Sequence, residues 1–163
     1  MIINLNDRDD MMLFKKAVHE HTIGVTSGCY DLLHYMHLVY FTRCRRMCDI
    51  LVVGVDSDDL VHQVKGPKRP IIPEPQRVAM VDALKPVTAA FVMNSIEDFG
   101  RAVKMLSADI IFKNGDFKED EVVGKEHARV VIIRDLEFPN STTGIISNII
   151  HTHVDHELNT KEQ

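Results

Sequence analysis

Two histidines three residues apart, His34 and His37, stand in the stretch TSGCYDLLHYMH (Thr26 to His37), just after an acidic residue, Asp31. Imidazoles at this spacing share a face if the segment is helical. Such a pair could ligate a metal, donate hydrogen bonds to a phosphate, or do neither. Ser27 and Gly28 precede the pair, after an apolar-leaning run. Glycine lets a backbone approach a ligand closely. A helix opening near Leu33 would add unpaired N–H groups and a partial positive charge, both suited to phosphate. Zinc is disfavoured, because HExxH is absent and no Cys/His cluster supplies further ligands. Alone, the spacing is weak evidence. His151, His153 and His156 show a metal-like alternation, but are expected to belong to a polar tail.

The elements that must position these residues are read from hydrophobic runs. Five runs predict strands: Thr22–Thr26, Ile50–Val55, Thr88–Met93, Asp109–Phe112 and Val130–Ile133. Their continuous Val/Ile character, as in DILVVGV and RVVIIR, predicts strands buried on both faces. Helical patterns lie between them. Leu33, Met36, Tyr40, Cys44 and Met47 form one stripe, and EPQRVAMVDAL and SIEDFGRAVKML form others. The alternation predicts a parallel sheet covered on both sides, with right-handed crossovers. A last helix is expected to begin near NSTTGIISNII. In such a sheet, ligands bind beyond the carboxyl ends of the strands, at a topological switch point. That rule selects SGCYDLLHYMH, DSDD, KNGD and FPNSTT.

Composition bounds the function. The 163 residues fit one domain, with a core of about 22–150 and a tail over 151–163. At 45% hydrophobic residues the chain can bury a substantial core, and its net charge of −5 argues against a broad nucleic-acid surface. No apolar run reaches membrane-spanning length, and MIINLNDRDDMM is too acidic for a targeting peptide. The three cysteines, Cys29, Cys44 and Cys48, form no even framework, so reduced thiols in a cytoplasmic protein are expected, with no membrane or nucleic-acid partner.

The whole constellation carries more than the histidine pair. GCYDLLHYMH resembles the signature GxFDxxHxGH of the nucleotidyltransferase superfamily, the cytidylyltransferase-like group with HxGH phosphate-binding motifs. DILVVGVDSDDLVHQVKGPKRPIIPEPQRVAMVDAL is similar to the adenylyltransferase domain of bifunctional ADP-heptose synthase. ADIIFKNGDFKEDEVVG resembles its Lys-Gly-Gly-Asp segment, and NSTTGIISNI its Ser-Thr-Thr helix start. These matches run in order from about residue 23 to residue 150. Glycerol-3-phosphate cytidylyltransferase is a more distant relative. The expected architecture is a Rossmann-like, doubly wound α/β domain with five parallel strands in the order 3-2-1-4-5.

The resemblance implies a role for each matched residue. His34, His37 and Lys65 would be catalytic, binding the triphosphate and stabilising charge as pyrophosphate leaves. Thr26, Ser27, Gly28 and Cys29 at the first turn, Lys113, Asn114 and Asp116 in the KNGD loop, and Ser141, Thr142 and Thr143 at the last helix would bind the nucleotide and its phosphates. Asp31, Asp56, Asp58 and Arg77 would address the acceptor, or, for Asp31, orient the first turn. It also implies Mg²⁺ held mainly by the triphosphate, ATP or CTP as donor, a small phosphorylated acceptor, and a possible homodimer. ATP with a heptose-1-phosphate-like sugar is favoured. CTP with an alcohol phosphate such as glycerol 3-phosphate is the alternative within enzymes, and a non-catalytic nucleotide sensor the alternative outside them. The quoted matches include no kinase segment, so the acceptor is expected to arrive phosphorylated.

Plainer roles stand beside these. Lys65 and Arg77 could be solvated, Asp56, Asp58, Ser141 or Thr142 could be helix caps, and Cys29 a packed small residue. Two positions depart from the pattern. Met36 replaces the Gly of HxGH: it either turns into the core with Tyr40 and Cys44 or reshapes the base or ribose pocket, and so is a specificity candidate. Asn114 replaces a Gly, a milder change because Asn tolerates left-handed backbone angles. Response regulators share the architecture but are disfavoured, because the first strand ends in TSG without their acidic pair.

Overall fold

The computed structural model describes residues 1–115, 117–134 and 142–154. Asp116, Ser141, His156 and the side chain of His153 lie outside the described parts. The chain begins with helix α1 (Arg8–Val18), followed by β1 (Ile23–Gly28), α2 (Tyr35–Arg45), β2 (Ile50–Asp56), α3 (Asp58–Lys65), α4 (Glu74–Asp82) and β3 (Ala89–Met93). Then come α5 (Ile96–Leu106), β4 (Ile110–Asn114), a 3₁₀ turn (Glu119–Glu121), β5 (Arg129–Ile133) and α6 (Thr142–Ile149), continued by a π-helical turn, Ile150–Val154.

The five strands form one parallel sheet in the order β3-β2-β1-β4-β5, as the sequence implied. Both faces are buried, which is why the strands read as unbroken apolar runs. Successive side chains of β2 alternate between two cores. Ile50 and Val52 join the cluster covered by α1 and α5, with Phe14, Phe91 and Phe99. Leu51, Val53 and Val55 join the cluster covered by α2 and α4, with Phe41, Val78 and Phe112. Gly24 lets that second face close up. A Cβ there would fall 2.4 Å from the Phe112 ring and 2.8 Å from Cys48 Sγ.

Three features differ from the sequence reading. Helix α1 was not anticipated, although its cues are present. Asp7 caps it by accepting from the Asp9 and Asp10 amides, and Met11, Phe14 and Val18 form its buried stripe. β1 and β4 run two residues further than expected, to Gly28 and Asn114, carrying polar residues to the sheet edge. Helix α2 ends at Arg45, so Met47 leaves the predicted stripe and is exposed.

β1 is central and pairs with β2 on one side and β4 on the other. The chain leaves it for α2 and β2, and later reaches β4 on the opposite flank. The connections diverge there, and the carboxyl ends of β1, β2 and β4 border a crevice.

Candidate active site

An open cleft of about 500 Å³ lies at this crevice. Ser27, Gly28 and Cys29 from β1 and its turn contribute to its wall, as do Asp56 from β2 and Lys113 and Asn114 from β4. His34, Met36 and His37 enter from the start of α2, Lys65 from the end of α3, and Thr142 and Thr143 from α6. Segments separated by more than a hundred positions in sequence therefore meet where the strand pattern predicted.

The two histidines are held by one reciprocal arrangement. His34 is the residue preceding α2 rather than part of its first turn, a correction to the expected helix start near Leu33. Its Nδ1 accepts from the Met36 amide at 3.3 Å, and the His34 amide donates to His37 Nδ1 at 3.2 Å. The rings lie 4.0 Å apart between centroids, and His37 meets Tyr30 edge-on at 5.4 Å. A ring nitrogen that accepts cannot carry the proton, so both neutral imidazoles are Nε2–H tautomers. Each retains one donor on the edge opposite its helix contact. Burial, then the neighbouring His34, pushes His37 down to about 4 from its ordinary 6.5, and burial also lowers His34. The pair is neutral near pH 7.

The loop ahead of the pair is strained and tied down. Tyr30 and Leu32 have φ of 49° and 52°, left-handed values that cost non-glycine residues energy. Asp31 between them is 1% exposed. Its carboxylate accepts from Arg69 Nε at 2.5 Å and from the Ile71 and Ile72 amides, each at 2.9 Å. Burial alone would raise the Asp31 carboxyl, but the two amides and Arg69 outweigh it and hold it below the ordinary carboxylate range. The Asp31 carbonyl accepts from Thr142 Oγ1 at 2.7 Å, joining the loop to α6.

Arg77 sits behind this loop, also 1% exposed. Its three guanidinium nitrogens donate to the Ile72 carbonyl (2.8 Å), the Cys29 carbonyl (2.6 Å) and Asp58 Oδ1 (2.8 Å). Asp58 also accepts from the Glu74 amide. Asp31, Arg77 and Asp58, expected at the acceptor, are therefore engaged by protein groups. Arg77 and Asp58 stand off the cleft wall, because bracing the first turn uses their polar atoms.

The floor holds two buried ionisable groups, Lys113 and Asp56. Lys113 Nζ donates to Ser27 Oγ at 2.8 Å and lies 4.1 Å from the Phe99 ring centroid and 5.0 Å from that of Phe117. Burial lowers Lys113 to about 8, against an opposing pull from Asp56. Burial likewise raises Asp56, despite the Cys29 Sγ–H that donates to it at 3.1 Å. Cys29 itself is pushed up to about 12 by burial and by Asp56, so it is an inert thiol rather than a nucleophile. Thr26 is fully buried and bonded to Tyr40 at 2.9 Å, beneath the cleft rather than in its wall. Met36 is 6% exposed, lines the cleft and belongs to neither core cluster. Arg69, to which the motifs gave no role, is in the wall as well. Among the described residues, no group of three or more His, Cys, Asp or Glu side chains could hold a metal, and no helix is long and apolar enough to cross a membrane.

The family model described as cytidylyltransferase-like matches residues 25–153. The chain belongs to the cytidylyltransferase-like family. Its relatives include the bifunctional protein HldE of Helicobacter hepaticus, 34% identical over 143 residues, covering 87% of this chain and 29% of that one. HldE of Desulfatibacillum aliphaticivorans is 40% identical over 127 residues, 74% of this chain and 25% of that one. This cytidylyltransferase-like chain thus spans less than a third of the length of these curated relatives. Among solved structures, the lipopolysaccharide core biosynthesis protein of Thermoplasma volcanium superposes with a TM-score of 0.60 at 29% identity, over 70% of this chain and 95% of that one. A pantoate-beta-alanine ligase from Francisella tularensis, complexed with beta-gamma ATP and beta-alanine, has the same TM-score at 10% identity, over 95% of this chain and 80% of that one, and shares the fold alone. The family read from the motifs is borne out, and the fold is nucleotidyltransferase-like.

Proposed function

We propose that this chain transfers a nucleoside monophosphate from ATP to a small phosphorylated acceptor, a heptose-1-phosphate-like sugar phosphate, and releases pyrophosphate. The observation that carries this reading is the tautomer-fixed pair. Two neutral imidazoles turn their Nε2–H donors from one helix start into a cleft that also holds Lys65, Lys113, Thr142 and Thr143. Neutral donors and cations converging on one crevice suit a polyphosphate.

The chemistry needs little acid or base. A phosphate monoester is already largely dianionic near neutral pH. One of its oxygens attacks the α-phosphorus of the triphosphate. The new P–O bond forms as the bond from the α-phosphorus to the α,β-bridging oxygen breaks, and pyrophosphate leaves with that electron pair. His34 and His37 donate hydrogen bonds to phosphate oxygens, and Lys65 and Lys113 balance the growing charge. The Thr143 hydroxyl and the start of α6 hold phosphate beside them, while the Thr142 hydroxyl stays on the Asp31 carbonyl and fixes α6 to the histidine loop. Asp56 reads acceptor or ribose hydroxyls. Asp31, Arg77 and Asp58 act through the backbone they brace. Mg²⁺ would come on the triphosphate, since the described side chains offer no ligand cluster to hold it, and no step here depends on it.

The donor preference for ATP rests on the similarity to HldE. A pyrophosphate-release assay, run with ATP and CTP against sugar 1-phosphates and polyol phosphates, tests it. Release with ATP and a heptose 1-phosphate is expected. Release only with CTP and a polyol phosphate would reassign the substrates. Tight nucleotide binding without turnover on any acceptor would leave a nucleotide sensor.

A further inference from the structure

The segment between α3 and α4, GPKRPIIP, folds back over the histidine loop, and Arg69 is its side chain in the cleft. Arg69 Nε is committed to Asp31 Oδ2. Its two terminal nitrogens make no hydrogen bond among the described residues, and the side chain is 16% exposed. The other cations near the cleft differ. Arg77 spends all three nitrogens on protein acceptors. Lys113 donates to Ser27. Lys65 is exposed at a helix end with no hydrogen-bond partner among the described residues to fix it. Among the described residues, Arg69 is both fixed at one edge and free at the other. A guanidinium pinned through Nε offers a planar fork of preset direction, the geometry that suits bidentate contact with phosphate oxygens.

The anchor indicates which phosphates the fork meets. Asp31 belongs to the loop that opens α2, and its carbonyl receives the hydroxyl of Thr142 at the start of α6. The fork is thus held at the loop that joins the starts of α2 and α6, in the cleft wall that also carries His34 and His37.

We propose that Arg69 is a phosphate-binding residue of this cleft, whose terminal nitrogens grip the β- and γ-phosphates of the triphosphate and then the departing pyrophosphate while Nε stays on Asp31. The assignment rests on the nucleotidyl-transfer reading and adds to it a residue that the motifs left without a role.

Calorimetric titration with inorganic pyrophosphate and Mg²⁺ tests it on the wild-type chain and on Arg69→Gln. Loss of a charge-assisted fork should weaken binding about 10- to 100-fold. A second measurement separates contact from bracing and needs no variant. Phenylglyoxal labels accessible arginines, and peptide mapping reads each site. Arg69 should label in the free protein and be protected by pyrophosphate, with buried Arg77 unlabelled in both cases. Equal affinity in wild type and Arg69→Gln, or labelling of Arg69 that pyrophosphate does not alter, would overturn the proposal and leave nucleotidyl transfer standing. A wild-type chain that binds neither pyrophosphate nor any nucleoside triphosphate would overturn both. If Arg69→Gln does not fold, the protection experiment decides alone.

Discussion

His37 performs two tasks with two different atoms, and two substitutions should separate them. Its Nδ1 accepts the His34 amide at 3.2 Å, while its Nε2–H is left for phosphate. An asparagine carbonyl oxygen lies as many bonds from the backbone as Nδ1, and a glutamine amide nitrogen as many as Nε2. His37→Asn should keep the cap and lose the donor. Removing one donor aimed at developing charge costs about 2.7–4 kcal/mol, so kcat should fall about 100- to 1000-fold. Its melting temperature should stay within about 2 °C of wild type, since less than ~1 kcal/mol is disturbed. His37→Gln should keep part of the activity and lose the acceptor for the His34 amide. That amide is only part-buried, so its loss costs about 1 kcal/mol, the low end of the usual range. A chain of this size should then melt about 2–4 °C lower. Pyrophosphate release under saturating substrates and a thermal melt measure the two effects. Near-normal kcat in His37→Asn, or the same loss of kcat in both variants, would refute the division of labour.

Acid should destabilise the fold through the same ring. His37 titrates at about 4 when folded and near 6.5 when unfolded, so its contribution is complete above about 6.5 and lost as pH falls toward 4. Denaturant melts of His37→Asn should show a shallower fall across that window, and an unchanged slope would contradict the burial of the ring. Lys113 loses its charge above about 8, so pyrophosphate should bind more weakly as pH rises through that value. Lys113→Arg should flatten the dependence, because guanidinium stays charged; calorimetry between about pH 7 and pH 9.5 reads both slopes. Met36→Ala should lower stability by about 2–3 kcal/mol, a melting shift of about 5–10 °C, and should also change the ratio of ATP to CTP use. An unaltered ratio would assign Met36 to packing alone.

Much of this was legible because the strands are buried on both faces. Val52, Val53 and their neighbours could hardly be anything else, and the strand order followed from the motifs they carry. Thr142 and Thr143 fell at the expected helix start. The burial of Arg77 was not legible. A basic residue on an amphipathic helix looks solvated, and only the folded loop shows three acceptors converging on it. Asp31 was suspected of orienting its turn, but its partners lie about forty residues away in a segment without periodicity. Arg69 escaped for the same reason, since its value comes from where Asp31 points its Nε. Helix α1 was missed although Asp7 and the Met11, Phe14, Val18 spacing announce it, because the acidic start was weighed only against a targeting peptide.

Asp31 also bears on when the protein becomes competent during its own synthesis. Its carboxylate needs the backbone of Ile71 and Ile72, and its carbonyl needs a hydroxyl 111 positions downstream. The two left-handed residues beside it gain compensation only once those partners arrive. An emerging chain could therefore pair β1 with β2 early, yet hold the first loop slack until α6 has been made and has closed a loop of that length. The cleft should be the last part to set, and nascent chains halted after β5 should contain the sheet without a finished binding surface.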